Sequence, residues 1–440
     1  MFASAKKTFV QLFSAFCVLL LLSACASRGG ADTAPVATAE ELGIPESESA
    51  EVEAAEVVAE PEPEPEKESG AVEYPTLFSK PYLVKGNGDH QLKSLWTAQI
   101  DGDGQFLMHF RPAIDGEQAC AAGRGAVYCF DRNSGERLWK RKVRDLASGV
   151  SFSSEFVIVG TDEGEAIALS RVDGSEQWRA AIGGEVLALA AVGRAQVGEV
   201  VVAYTSAGNL TGLRARDGET IWVQEQKVPR LTLRGLSTPL AVDGLVVSGH
   251  DNGRMTVNKL LDGTGVWADE LVSPTGRNEL ERLADIDGAI AHYRGDVFAS
   301  SWGGKLGAWS LKRGRALWQA DIASVTGVAA DLRRVYVTDT DNALHALDSR
   351  SGRILWKRDD LVAEEDEGDR RVVATTSAMG APLVLDNLGR LYFYERATGD
   401  LDFAKSITGE YATAPAVEED QILTLSRGGL LSMWQLLEVE

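Results

Sequence analysis

The residue best placed for chemistry is Cys25, which closes the run Leu22-Ser23-Ala24-Cys25. This run resembles the bacterial lipobox, in which a peptidase cuts before the cysteine and a diacylglyceryl group is attached to its sulfur. Lys6 and Lys7 precede an apolar stretch over residues 9–22. That is the layout of a signal peptide, too short to span a bilayer comfortably. Residues 1–24 therefore read as a signal peptide, and Cys25 as the lipidated first residue of the mature chain. The competing reading is an ordinary secretory signal with a chance cysteine at its end. Ala26 and Ser27 follow Cys25, so an Asp directly after the cysteine, the inner-membrane retention signal, is absent and outer-membrane sorting is expected.

Cys120 and Cys129 are the second reactive pair. They flank Gly123-Arg124-Gly125 at equal distances from a centre between Arg124 and Gly125. With a hairpin loop of two or four residues they face each other and can bridge in an oxidising compartment. A one-residue slip would put them on opposite faces. His90, His109, His250, His292 and His345 are scattered without metal-ligand spacing. Asp101-Gly102-Asp103-Gly104 and Asp285-Ile286-Asp287-Gly288 look faintly like calcium loops, but neither continues to the Glu such a loop needs, so turn chemistry reads better. No Gly-x-Ser-x-Gly elbow or phosphate-cradling loop with Lys occurs. No catalytic residue, metal or cofactor is expected.

The formal charge of −21 is uneven, since residues 28–73 hold 14 acidic side chains against Arg28 and Lys67. Such a balance argues against nucleic-acid binding, which rests on clustered cations. Residues 25–73 are rich in Ala, Glu and Pro and have no aromatic, so they cannot bury enough apolar surface to offset the entropy of ordering. They read as a solvated tether, and residues 74–440 as the folded domain.

Within that domain one phrase recurs: a glycine, an alternating apolar strand, a polar turn with Gly, then an aromatic opening another short strand. The anchor aromatics are Trp96, Trp139, Trp178, Trp222, Trp267, Trp318, Trp356 and, in place of Trp, Phe403, at spacings of 43, 39, 44, 45, 51, 38 and 47 residues. This is the period of a four-stranded propeller blade. The expected fold is all-β, an eight-bladed β-propeller of four-stranded antiparallel blades. Because the repeat opens on an anchor strand and ends on a glycine-led strand, N- and C-terminal strands must share one blade and close the ring. Each anchor aromatic is expected to pack between neighbouring blades. The cluster Lys140, Arg141, Lys142 and Arg144 follows Trp139 and reads as a charged outer edge.

The repeat resembles pyrroloquinoline quinone propellers, so a quinone-cofactor-binding, quinoprotein dehydrogenase-like protein is the alternative function. Those enzymes commonly carry two adjacent cysteines, and no Cys-Cys pair occurs here. Two inter-blade connections are unusually elaborate: residues 228–239 after Trp222 and residues 273–288 after Trp267. They belong to consecutive blades and emerge on one rim. Leu231, Leu233, Arg234, Asp285 and Asp287 are the candidate partner-binding residues, while an Arg234 paired with an aspartate as a strut between the loops is the plainer reading.

At Leu231-Thr232-Leu233-Arg234-Gly235, and from Thr275-Gly276 through Glu281-Arg282-Leu283-Ala284-Asp285-Ile286-Asp287, the chain resembles the BamB family, lipoproteins of the outer-membrane β-barrel assembly machinery. The acidic tether and Phe403 depart from the family's pattern. The resemblance implies a non-enzymatic scaffold, lipid-anchored in the outer membrane and facing the periplasm. It further implies that the matching leucines, arginine and aspartates contact a POTRA domain of BamA within the BAM complex. Unfolded outer-membrane proteins are further candidate partners, through β-augmentation of strand edges.

Overall fold

The computed structural model describes residues 89–102, 110–189, 193–195, 198–229, 237–273, 284–286, 288–359, 361 and 370–439. Cys25, the signal peptide and the tether lie outside these residues.

Eight antiparallel sheets follow one another as the blades of a propeller. Blades 1 to 7 span residues 113–142, 151–181, 186–225, 240–270, 291–320, 328–358 and 372–406. Blade 8 combines both ends of the described chain: residues 416–438 supply its three inner strands, and His90–Gln99 pairs with Leu430–Glu438 as the outermost. The ring is therefore closed by hydrogen bonds, as the repeat register requires. Blade 3 carries one departure, a short extra strand, Gly193–Ala195, paired with Gly198–Thr205.

Burial follows each strand's place in its blade. The second and third strands lie between neighbouring sheets and read as nearly continuous apolar runs, as in Phe156–Gly160, buried throughout. In the outer strand of blade 1, Arg137–Lys142, only Trp139 is buried. Arg137, Leu138, Lys140, Arg141 and Lys142 around it are exposed, a mostly charged edge that discourages strand addition.

In all eight blades the outer strand bulges by one residue immediately before its anchor aromatic. A bulge bends its strand and re-aims the next side chain. Here it turns each anchor toward the following blade. Seven indole Nε1 groups donate to a backbone carbonyl there, from Trp96 to Arg132 O at 2.8 Å through Trp356 to Arg396 O at 3.1 Å. Each ring lies on a glycine of that blade's outer turn. At Gly135, for example, a Cβ would meet Trp96 Cγ at 2.5 Å, and its φ of +72° already favours glycine.

Candidate partner-binding rim

Successive hairpins alternate between the two ends of a blade. The turns between second and third strands therefore share one face of the ring with the connections between blades. The remaining hairpin turns share the opposite face. The connections over residues 226–239 and 271–290 leave consecutive blades, 3 and 4, on that first face. Leu231, Leu233, Arg234 and Asp287 lie outside the described residues, so the structure shows the roots of these loops.

The first root departs against the turn at Gly208, where a Cβ would meet Gln226 O at 2.5 Å and Val228 Cγ2 at 2.6 Å. Val228 is exposed, whereas Ser237 is buried where the chain re-enters the core.

The second root is wedged between two turns. Ala284, Asp285 and Ile286 are buried. Ile286 N donates to His250 O at 3.3 Å, and Trp302 N donates to Asp285 O at 3.0 Å. The Ile286 side chain fills the space above Gly249, where a Cβ would come within 2.5 Å of its Cγ2. Gly303 similarly accommodates Val272, whose Cγ1 a Cβ would meet at 2.6 Å.

His250 anchors this wedge. Its Nδ1 lies 2.9 Å from the Tyr204 hydroxyl in blade 3, and its Nε2 lies 2.8 Å from Thr256 Oγ1. Burial, with a smaller push from the Arg254 charge, lowers its pKa to about 4, so the ring is neutral at physiological pH. A neutral imidazole tied into two hydrogen bonds holds a turn in place. The sequence singled out His250 only as a scattered histidine, because its partners Tyr204 and Thr256 fall in different strands.

Asp285, one of the candidate partner-binding residues, is buried, with 0% of its surface exposed. The reason is positional: the loop has already turned inward at Ala284 to seat Ile286 in the core. Trp302, half-buried on the neighbouring turn, is an additional aromatic beside that root.

Away from the rim, Cys120 and Cys129 are directly opposed on neighbouring strands, with Cα atoms 4.2 Å apart and their sulfurs joined. Gly123 N donates to Ala126 O at 2.8 Å, which leaves a two-residue loop. Among the described residues, no group of three or more His, Cys, Asp or Glu is arranged to hold a metal ion.

The fold and this site define a class: an eight-bladed, tryptophan-docked β-propeller presenting specialised inter-blade loops on one rim. A family model described as outer membrane protein assembly factor BamB matches residues 123–358. The chain is 30% identical over 362 residues to the outer membrane protein assembly factor BamB of Yersinia pestis, covering 79% of this chain and 90% of the relative. It superposes on the crystal structure of BamB from Moraxella catarrhalis with a TM-score of 0.69 at 22% identity, covering 78% of this chain and 100% of that one. Quinohemoprotein alcohol dehydrogenase from Comamonas testosteroni shares the fold alone, with a TM-score of 0.59 at 12% identity over 80% of this chain and 77% of that one. The chain belongs to the BamB family of outer membrane protein assembly factors.

Proposed function

We propose that this chain is a non-enzymatic scaffold lipoprotein of the BAM complex that binds a POTRA domain of BamA through its loop rim and assists insertion of β-barrel proteins into the outer membrane. The observation that carries the reading is topological: the elaborate connections leave consecutive blades on the same face. Leu231, Leu233, Arg234 and Asp287 supply the contacts, the leucines as a desolvated centre and the charges as register. Asp285 holds the second loop at its root. Lipid on Cys25 keeps the propeller at the inner leaflet, facing the periplasm, and the tether sets its reach.

Copurification from detergent-solubilised outer membranes tests this. Leu233→Ala and Arg234→Ala should each cut BamA recovery while the melting temperature barely moves. Asp285→Ala should lower both, because a buried carboxylate is also part of the fold. Neutralising Glu364, Glu365, Asp366 and Glu367, in a distant connection, should leave recovery intact. Retention of BamA by the Arg234 and Leu233 variants would place the binding surface elsewhere. The quinoprotein alternative rests on fold likeness alone, and a cofactor absorbance band on adding quinone and calcium would revive it.

A further inference from the structure

The face opposite the loop rim is electrically divided. On blades 5, 6 and 7 its hairpin turns carry Arg313, Arg315, Arg333, Arg350, Arg353 and Arg396, none of them in an ion pair among the described residues. Of the acids interspersed there, Asp348 and Glu395 are engaged by their own turns and Asp400 by Arg358. Asp348 Oδ1 accepts from Ser351 N at 2.9 Å and from Arg350 N at 3.2 Å, and Glu395 accepts from Thr398 N at 2.5 Å. Behind the arc, the Nε of half-buried Arg334 has no hydrogen-bond partner.

Across the ring, on blades 8, 1 and 2, the same face is acidic, with Glu419, Asp420, Glu117 and Glu155 in its turns. Arginines there are already paired, Arg132 with Glu418 at 2.5 Å and Arg171 with Asp115. These two arginines of the acidic half are paired, whereas the six of the basic half are not among the described residues; Lys312, in the same turn as Arg313, pairs with Asp243 at 3.4 Å.

Apolar side chains stand at the inner edge of the basic half. Leu332 and Met379 are each 45% exposed, at the tips of the innermost hairpins of blades 6 and 7. Both adopt left-handed backbone conformations, with φ of +43° and +50°. Tight hairpin turns usually place Gly or Asn at such positions. Leu332 leans across the blade boundary over Gly380, where a Cβ would meet its Cδ1 at 2.2 Å.

We propose that this arc is a second interaction surface, built for a polypeptide segment that carries carboxylates and an apolar side chain. Guanidinium forks pair carboxylates bidentately, and the Leu332 and Met379 tips give an aliphatic or aromatic residue a place to pack. The neighbouring acids decide against a membrane, because an anionic bilayer broad enough to cover the arc would also meet the acidic half. Lying on the face away from the loop rim, the arc stays open when the rim is docked. The inference rests on blade topology and charge, independently of the proposed partner at the loops.

The test uses the full chain in detergent and a short fluorescein-labelled peptide alternating Glu with Leu, beside a counterpart with Gln for Glu. Anisotropy at physiological salt should show the Glu peptide bound and the Gln peptide bound at least about tenfold more weakly. Arg333→Glu with Arg350→Glu should weaken the Glu peptide by a similar factor and gain binding to a Lys-Leu peptide, a gain that a misfolded variant cannot show. Leu332→Ser with Met379→Ser should weaken it several-fold. Equal binding of both peptides, or undiminished binding by the charge-reversed variant, would overturn the proposal. So would a wild-type chain that doubles its mass at low salt, or floats with phosphatidylglycerol vesicles, while ignoring the peptide.

Discussion

His90 Nδ1 lies 2.5 Å from Asp402 Oδ2, joining the first described strand to the outer strand of blade 7. The contact stands where a tryptophan dock would otherwise be. Every anchor Trp needs the outer turn of the following blade, with its glycine and its free carbonyl. Blade 8 has no such turn, because its third and outer strands come from opposite ends of the chain. Phe403 therefore lacks an indole acceptor, and it stacks on Phe393 with centroids 5.5 Å apart. The bulge that aims Phe403 directs Asp402 to His90, whose backbone N also donates to it at 3.2 Å.

Removing either partner should loosen this seam first. Asp402→Ala and His90→Ala are each expected to cost about 1 to 3 kcal/mol, the usual penalty for stranding a part-buried polar partner. Amide exchange should quicken over His90–Gln99 before it does elsewhere. Phe403→Trp should bring no gain, since the third and outer strands of blade 8 are not joined by a hairpin turn that could receive an indole.

The tryptophan docks make an opposite prediction at the next joint. Trp356→Phe removes one hydrogen bond and should cost about 1 kcal/mol in urea unfolding. Gly399→Ala should cost more, because its Cβ would sit 2.5 Å from Trp356 Cδ2 at a φ of +74°.

Protein isolated from an oxidising compartment and unfolded without reductant should present no free thiol at Cys120 or Cys129. Bridging so small a ring is worth roughly 2 to 3 kcal/mol by the loop-entropy account, so a reductant should lower the melting temperature. Two titratable thiols would show the sulfurs apart.

Acid should weaken the root of the loop rim through His250. Its folded pKa, about 4, lies below the ordinary 6.5, so the unfolded chain binds the extra proton first. Stability is then fully present above pH 6.5 and falls as pH drops toward 4, by up to about 3 kcal/mol. A plot of unfolding free energy against pH should flatten over that window in His250→Gln. An unchanged slope in that variant would assign the acid sensitivity to other groups.

Much of the architecture was legible in one dimension. The anchor spacing gave the blade count, because each blade repeats one alternation of buried and solvent-facing strands. The terminal register gave the shared blade. A finer signal was also present: a glycine stands four residues before Trp139, Trp178, Trp222, Trp267, Trp318, Trp356 and Phe403, and Leu92 stands at the corresponding place before Trp96. That glycine receives the previous blade's indole, so the aromatic at Phe403 and the residue at Leu92 are two sides of one missing joint.

What the sequence determined by itself is the repeat, and hence the number of blades and the order of their strands, since burial alternation is local to each segment. Tertiary structure alone decided what happens between segments. Asp285 and Val228 both lie in elaborate loops, yet one is buried and the other exposed, because only the folded ring brings Gly249 and Gly303 beneath the first. Likewise Arg333, Arg350 and Arg396 are scattered along the chain and fall on one face only because alternate hairpins of every blade end on the same side. Closure brings together residues that are distant in sequence, and that proximity turns a periodic pattern into particular surfaces.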